Sequence, residues 1–431
     1  MSIHWEWLRG DFDNQLESKT FAALKIQLSD EVITRVYDRV AEGQRDTVKV
    51  PLYQLALSFA ENWWTILYEP KKSEGGIGFG DARHSLDSYM KGFVFPALSV
   101  WSGGDDTIVF EHPGVATEHS SLEFLPRASD VSTMSREGVE QDLFELVQAV
   151  TERVRRKSSD DELRPRWERV CETLESDDEK EYCRAAGRLG IDPYDPDVDD
   201  ISDFAAGISE RLFSNVCEAA KYSELAAATE WVRQSLSRIK EFPAIDVAEF
   251  GVFPERDAQQ KVWIHGYDAA RTARRNLRLE GFRPRRVVDE MFGASVSTNG
   301  PSISGVHPLA IEAITDRVNG GARVAVPATS ARSRRSRLCR AAYLAWRTPE
   351  GESSAVTTAS TLDQQASRAF AAELLAPAEL VFELAGNEGL TAEKIEDFAR
   401  QNVCPEQTII WQAYNHKVPL RGVSLPSYHR F

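Results

Sequence analysis

Arginine is more abundant than lysine in this sequence, and its guanidinium group forms paired hydrogen bonds to phosphate oxygens. The stretch "SARSRRSRLCR" places five arginines within nine positions: Arg332, Arg334, Arg335, Arg337 and Arg340. This pattern is typical of a surface that binds nucleic acid or a nucleotide. Two other interpretations fit the same residues: a solvated start of a helix, or an internal partner for an acidic part of the chain.

The charges of the chain are distributed unevenly. Residues 261–347 carry 16 Lys or Arg against 6 Asp or Glu, whereas residues 160–203 carry 6 against 16. The whole chain has a net charge of −16, which makes general coating of nucleic acid unfavourable. Two blocks of opposite sign either pair with each other or each meet a partner.

Adjacent tryptophans form the second candidate group. The segment "ENWWTILYEP" contains Trp63 and Trp64 between carboxylates. Aromatic side chains at this density anchor a core, or they line a recognition groove in which a ring stacks on a ligand. His84 and Glu69 are the polar residues that we expect near such a groove. An enzyme with its site in the N-terminal region is therefore one hypothesis.

The segment "TLDQQASRAFAAELLAPAEL" predicts a tightly packed helix. Leu362, Ala366, Phe370 and Leu374 recur at every fourth position, and Pro377 ends the pattern. The alanines between them allow a neighbouring helix to approach closely. On this pattern alone the segment is a core helix.

Four segments in sequence order resemble the ImmA/IrrE family of metallopeptidases. "AFAAELLAP" is similar to the family's "FAAELLMP", and "GYDAARTARRNLRL" resembles the helix with which the family's domain begins. "RSRLCRAAYLAW" stands where an arginine-initiated "RFTLAHELGH" helix is expected, and "TIIWQAYNH" resembles the closing helix. The resemblance covers roughly 262–431 and implies a minimal zincin-like domain.

The resemblance also indicates where zinc chemistry belongs and that its residues are missing. In active members an HExxH helix holds Zn²⁺ with two histidines, and the glutamate serves as general base. Aligning the arginine-initiated helix places Ala342 and Trp346 at the histidine positions and Tyr343 at the base position. An alanine has no donor atom, and an indole N–H has no lone pair to offer a metal.

The third ligand of the family is a carboxylate that precedes the "FAAELL" segment. Its position falls on Gln364 or Ala366, with Asp363 one residue out of register. No two histidines of the sequence are spaced i, i+4, and no histidine is followed by glutamate. We therefore expect no zinc, no other cofactor and no peptidase activity.

If the former site has become core, its residues must be buried. We expect Trp346 to be largely buried, with Ala342 one turn before it on the same face. The helix that carries Ala366, Ala369 and Phe370 should pack against both of them.

The elements that position these residues suggest a multi-domain α+β protein. The alternating segments "LKIQL" and "VITRVY", and the segment "ALSVWSGGDDTIVFEHP", predict hairpins. "GVEQDLFELVQAVTERV" has helical spacing, and the glycine-rich "KKSEGGIGFGD" reads as a surface loop. We predict an N-terminal α+β domain over 1–128, a helical domain over 129–245 and a degenerate ImmA/IrrE-like domain over 246–431.

Composition indicates the compartment. No run of about 18 apolar residues exists to span a membrane, and no secretory signal is visible at the N-terminus. The five cysteines form no CxxC pair, which favours a reducing, cytoplasmic location.

Together these features predict a non-catalytic bacterial regulatory or sensor protein. The resemblance implies a setting in phage defence, mobile-element or stress regulation. It also implies a protein partner, such as a helix-turn-helix regulator or a co-encoded protein. The alternatives are a nucleic-acid or nucleotide-binding sensor that uses the Arg332–Arg340 face, and the N-terminal enzyme.

Overall fold

The computed structural model describes residues 1–72, 79–90, 92–113, 120–127, 129–154, 161–196, 200–257, 260–305 and 307–425. Within them the chain mixes helices and strands, which confirms the α+β class. Most of the glycine-rich segment "KKSEGGIGFGD" lies outside the described residues. In the part of the chain that is described, no helix is long and apolar enough to cross a membrane.

The chain divides into two compact units, with the boundary between Ile201 and Ser202. The predicted helical domain over 129–245 is shared between them. Its first helix packs against a helix and a strand of the N-terminal region, while its last helices pack against strands of the C-terminal region. Helical composition alone does not show which sheet covers the apolar face of a helix, so the predicted boundaries at 128 and 245 differ from this division.

The first unit contains ten strands and seven helices among its described residues. The strands are β1 (Ser2–Trp7), β2 (Phe21–Leu28), β3 (Glu31–Val32), β4 (Val36–Asp38), β5 (Gly43–Arg45), β6 (Val48–Pro51), β7 (Ser99–Ser102), β8 (Thr107–Glu111), β9 (Leu122–Phe124) and β10 (Val131–Ser135). The helices are α1 (Gln15–Lys19), α2 (Tyr53–Glu61), α3 (Trp63–Tyr68), α4 (Phe79–His84), α5 (Arg136–Arg153), α6 (Leu163–Leu174) and α7 (Asp177–Leu189).

Three small antiparallel sheets form this unit. β2 pairs with β1, β3 and β6, β8 lies between β10 and β7, and β4 lies between β5 and β9. The predicted hairpin over "ALSVWSGGDDTIVFEHP" is confirmed as β7–β8. The other predicted hairpin is confirmed only for β2–β3, because Val36 and Tyr37 pair in a different sheet.

Helix α7 illustrates how local sequence sets the helix ends. Ser176 caps its first turn by accepting from the N–H of Glu179, and acidic side chains occupy that turn. Gly190 ends the helix with a φ of +74°, a conformation that suits glycine. The apolar segment "LYQLALSFAENWWTILYEP" forms two helices, α2 and α3, which are separated at Asn62.

The second unit contains six strands and eleven helices among its described residues. The strands are β11 (Ala244–Ile245), β12 (Ile311–Val318), β13 (Gly321–Ala325), β14 (Ser353–Thr357), β15 (Leu390–Thr391) and β16 (Leu420–Arg421). The helices are α8 (Ser202–Ala205), α9 (Glu210–Ala219), α10 (Leu225–Arg238), α11 (Val262–Asn276), α12 (Pro284–Phe292), α13 (Ala294–Asn299), α14 (Ala331–Arg347), α15 (Leu362–Leu375), α16 (Ala378–Ala385), α17 (Ala392–Asn402) and α18 (Glu406–Asn415).

An antiparallel sheet in the order β11-β13-β12-β14 supports these helices. The predicted core helix is confirmed as α15, which packs against both α11 and α14. A Cβ atom added at Gly266 of α11 would lie 2.4 Å from the carbonyl oxygen of Ala366 and 2.8 Å from the Cβ of Ala369. The small residues of α11 and α15 therefore bring the two backbones into direct contact.

Candidate functional site

Helix α14, which carries the predicted ligand positions, is enclosed within the second unit. It contacts β12 and β14 of the sheet and helices α13 and α15. Because neighbours surround the helix, Ala342, Tyr343 and Trp346 are only 0%, 1% and 6% exposed. The prediction that Trp346 and Ala342 are buried is confirmed.

An aromatic cluster fills the space around these residues. The ring of Trp346 meets Phe250 and Phe253 edge-on at centroid distances of 5.5 and 5.1 Å. Tyr343 lies 5.5 Å from Phe370 and 6.3 Å from His265 in the same measure. Burial strongly raises the pKa of Tyr343, so its hydroxyl stays protonated.

The predicted packing of α15 needs one correction. Ala366 and Phe370 share the core cluster of Ala342 and Trp346, as expected. Ala369 instead packs with Tyr267 of α11 and with Ala372. The reason is the close contact at Gly266, which turns this alanine towards α11 rather than towards α14.

Gln364, at the predicted carboxylate position, is held by three hydrogen bonds. Its Oε1 accepts from Arg340 Nη2 at 2.8 Å and from the N–H of Thr357 at 3.0 Å. Its Nε2 donates to the carbonyl of Ala355 at 2.7 Å. The amide is 2% exposed, and both acceptor sites of its oxygen are occupied by these protein donors.

The residues at the four positions do not fit a zinc ion. Trp346 Nε1 donates to the carbonyl of Gly251 at 2.8 Å, and Ala342 has no donor atom. The imidazole of His265 lies near Tyr343, and burial lowers the pKa of this imidazole. Among the described residues, no group of three or more His, Cys, Asp or Glu is placed to hold a metal ion.

The predicted arginine face does not exist as a binding surface. Arg334, Arg335 and Arg340 are 3%, 0% and 6% exposed. Their partners lie within the second unit. Arg334 donates to the carbonyls of Val296 and Pro301, Arg335 binds Asp289, Ser297 and the carbonyl of Arg285, and Arg340 binds Glu312, Thr357, Gln364 and Ser367.

The two remaining arginines are also paired within the second unit. Arg332 is half-exposed and lies 3.0 Å from Glu406, and Arg337 lies 3.9 Å from Glu312. The prediction failed because the start of α14 is covered by α13 and the segment that follows it, which the local sequence does not show. These arginines hold the fold together.

The tryptophan pair is also core rather than groove. Trp63 and Trp64 are 1% and 2% exposed. Trp63 packs edge-on against Trp167 at 5.2 Å, and Trp64 Nε1 donates to the hydroxyl of Tyr194 at 3.0 Å. The prediction of a recognition groove at this pair is wrong, because α6 and α7 cover it.

His84 and Glu69 do come together, but inside the first unit. His84 is 0% exposed, and its Nε2 lies 3.0 Å from Glu69 Oε2. Its Nδ1 lies 2.7 Å from the carbonyl of Val100, and its ring stacks on Trp101 at 3.7 Å. The imidazole thus ties α4 to β7.

Sequence reasoning missed the role of the glutamate in "FAAELL". Glu373 is 3% exposed and accepts from Arg271 Nε at 2.9 Å, from Gln412 Nε2 at 3.0 Å and from the N–H of Ala378 at 3.2 Å. These contacts join α15 to α11, α16 and α18. The glutamate itself was the signal available in the sequence, because a carboxylate within an apolar helix needs buried hydrogen-bond partners.

Two surface cavities were also not predicted from the sequence. One in the first unit measures about 390 Å³ and is lined by both acidic and basic groups, including Glu31, Arg35 and Arg127. The other, in the second unit, measures about 560 Å³, and three of its eight lining residues are arginines. We call the latter the basic cavity, and it is formed by Arg283, Arg285, Arg286, Asp289, Gln401 and Asn402 with the adjacent turn.

Comparisons with protein-family models, curated proteins and solved structures found no match for this chain.

Proposed function

We propose that this chain is a non-catalytic regulatory or sensor protein whose second unit is a degenerate ImmA/IrrE-like domain that binds a protein partner. The observation that carries the proposal is the closed state of the three ligand positions and of the general-base position. Ala342, Tyr343 and Trp346 are packed in an apolar core, and Gln364 makes three buried hydrogen bonds to protein groups.

The arrangement of the resembling segments supports the same proposal. All four are helical, and they correspond to α11, α14, α15 and α18. α15 packs against each of the other three. Glu373, from the most similar segment, ties α15 to α11 and α18. A peptidase-type scaffold that has lost its donors keeps a folded surface on which a partner can bind.

The partner class follows from the resemblance. Active relatives of the family cleave a helix-turn-helix repressor, so a degenerate version would hold such a regulator, or a co-encoded protein, without cutting it. A cytoplasmic setting in phage defence, mobile-element or stress regulation fits this role. The five cysteines form no disulfide, which is consistent with a reducing compartment.

Two measurements test the proposal. Elemental analysis of the purified chain should find no stoichiometric zinc, and about one zinc per chain would contradict the loss of the metal site. Affinity capture from the native host should return one specific protein in intact form.

A variant sharpens the capture experiment. Phe382 on α16 and Tyr414 on α18 are 51% and 47% exposed, and the two helices pack together. Phe382→Ser combined with Tyr414→Ser should weaken capture, while Val131→Ser in the first unit should not. Cleavage of the captured protein by the purified chain would overturn the non-catalytic assignment.

A further inference from the structure

The basic cavity lies between the start of α12 and the end of α17 in the second unit. The sequence "RPRR" supplies three arginines in four positions, and Pro284 begins the helix. Arg283, Arg285 and Arg286 are all exposed. Gln401 and Asn402 bring side-chain amides from the other element. The cavity volume of about 560 Å³ is within the range of small-molecule sites, roughly 300–1,000 Å³.

The positive charge of the cavity is only partly neutralised. Its one carboxylate, Asp289, is already engaged by the buried guanidinium of Arg335 at 2.5 Å and by the hydroxyl of Ser297 at 2.8 Å. Asp289 lies 3.8 Å from Arg285, which is a weak contact for an exposed pair. Within the described residues, the guanidinium of Arg283 makes no hydrogen bond or ion pair to a protein group, and only its backbone carbonyl accepts, from the N–H of Val287. The cavity therefore presents more guanidinium groups than its own carboxylate can balance.

One of the arginines is held in place before any ligand binds. The guanidinium of Arg286 stacks on the ring of Phe282 at 3.9 Å, and its Nε lies 3.4 Å from Glu290. Stacking on an aromatic ring lowers the conformational freedom that binding would otherwise remove. Pro284 likewise fixes the backbone between the arginines. The cavity is thus partly organised for a planar, doubly hydrogen-bonded contact to an anion.

We propose that the basic cavity binds a small molecule that carries two or more phosphate groups, of the size of a nucleoside diphosphate or triphosphate. Arginine recognises phosphate through paired hydrogen bonds, and several guanidinium groups around one cavity match several negative charges. The exposed amide of Gln401 can contact the uncharged part of the ligand, whereas the buried amide of Asn402 donates to the carbonyl of Phe398. This inference does not depend on the proposed peptidase ancestry.

A small ligand fits the surroundings better than a nucleic acid. Glu280 and Glu290 flank the arginines in the sequence, and both are more than half exposed. These carboxylates, and the net charge of −16, oppose the approach of an extended polyanion. A compact polyphosphate that enters the cavity avoids most of this repulsion.

Calorimetric titration of the full chain with pyrophosphate and with ATP tests the proposal. We expect saturable binding of both probes, with inorganic phosphate binding more weakly. Arg283→Ala and Arg286→Ala should each weaken binding by about tenfold, because a charge-assisted hydrogen bond is lost. Arg286→Lys should recover part of the affinity. Arg238→Ala is the matched control, since this half-exposed arginine of α10 pairs with Glu241 in the same unit.

Each outcome bears on the proposal. Circular dichroism and the melting temperature verify that the variants, all at exposed positions, remain folded. No binding of pyrophosphate or ATP at millimolar concentration would overturn the assignment. Equal binding by Arg283→Ala and wild type would also overturn it. Tight binding of a single-stranded oligonucleotide that competes with ATP and falls steeply with salt would reassign the cavity to nucleic acid.

Discussion

Replacement of Trp346 by alanine should strongly destabilise the second unit. The side chain is 6% exposed, packs edge-on against Phe250 and Phe253, and donates to the carbonyl of Gly251. Truncating a buried tryptophan costs about 3–5 kcal/mol, because apolar contacts are lost and a cavity remains. The orphaned carbonyl adds to this when water does not reach it.

The magnitude can be converted into a measurable shift. For a domain of this size, 1 kcal/mol corresponds to roughly 2–4 °C in melting temperature, so Trp346→Ala should lower it by about 6–20 °C. Differential scanning calorimetry and urea unfolding followed by circular dichroism provide the measurement. Trp346→Phe should cost less, because it keeps a ring against Phe250 and Phe253 and loses chiefly the hydrogen bond.

Trp263→Ala is the matched control in the same unit. This tryptophan is only half-buried, beside Tyr267 and Ala369, and its loss should cost clearly less than the loss of Trp346. A melting temperature that Trp346→Ala leaves within about 1 °C of wild type would refute the reasoning. The space around α14 would then be an open cleft instead of a core, and the assignment of a closed site would fail.

Three further predictions concern other parts of the second unit. Gly266→Ala should destabilise by about 1–3 kcal/mol in urea unfolding, because its Cβ meets the backbone of α15. Gly43→Ala should be nearly neutral, because its Cβ would only make an ordinary van der Waals contact, 3.7 Å from the carbonyl oxygen of Ala41. Arg335→Ala should lower the free energy of unfolding by about 3–5 kcal/mol, because it leaves Asp289 without its buried partner. Arg332→Ala breaks an exposed pair and should cost about 0–1 kcal/mol. Equal losses of stability in the two variants would contradict the burial of Arg335. Burial lowers the pKa of His265, so the folded state binds its proton less tightly than the unfolded state, and stability should fall as the pH drops below about 6.5. His265→Leu should lose less stability than wild type between about pH 7.5 and 5.5. Identical losses in the two proteins would contradict this account.

Local sequence patterns correctly predicted the helices and hairpins that depend on a single segment of the chain. The spacing of apolar residues predicted α5 and α15, and the Ser-Gly-Gly-Asp turn predicted the β7–β8 hairpin. The burial of Trp346 and Ala342 also followed from residue type, since alanine and tryptophan on one helical face suit a core. These inferences need only the 3.6-residue and two-residue periodicities of helices and strands.

The fate of the arginines could not be predicted in this way. Arg335 is buried because Asp289 and Ser297 lie beside it, and both belong to elements about 40 residues earlier in the chain. A cluster of five arginines looks like a solvated surface until those partners are known. The same limit hid the basic cavity, because α12 and α17 are distant in sequence and meet only in the fold.

The surroundings of Gln364 suit a glutamine and not a carboxylate. A carboxylate at this position would accept from Arg340 and from the N–H of Thr357, as the amide does. It would have no N–H to offer the carbonyl of Ala355, and two oxygen acceptors would face each other in a buried space. The amide satisfies all three groups at once. The guanidinium of Arg340 lies beside it, where a metal-binding site would need room for a cation. The site is therefore built for a glutamine, and restoring a single ligand would leave Arg340 in competition with the metal for the same oxygen.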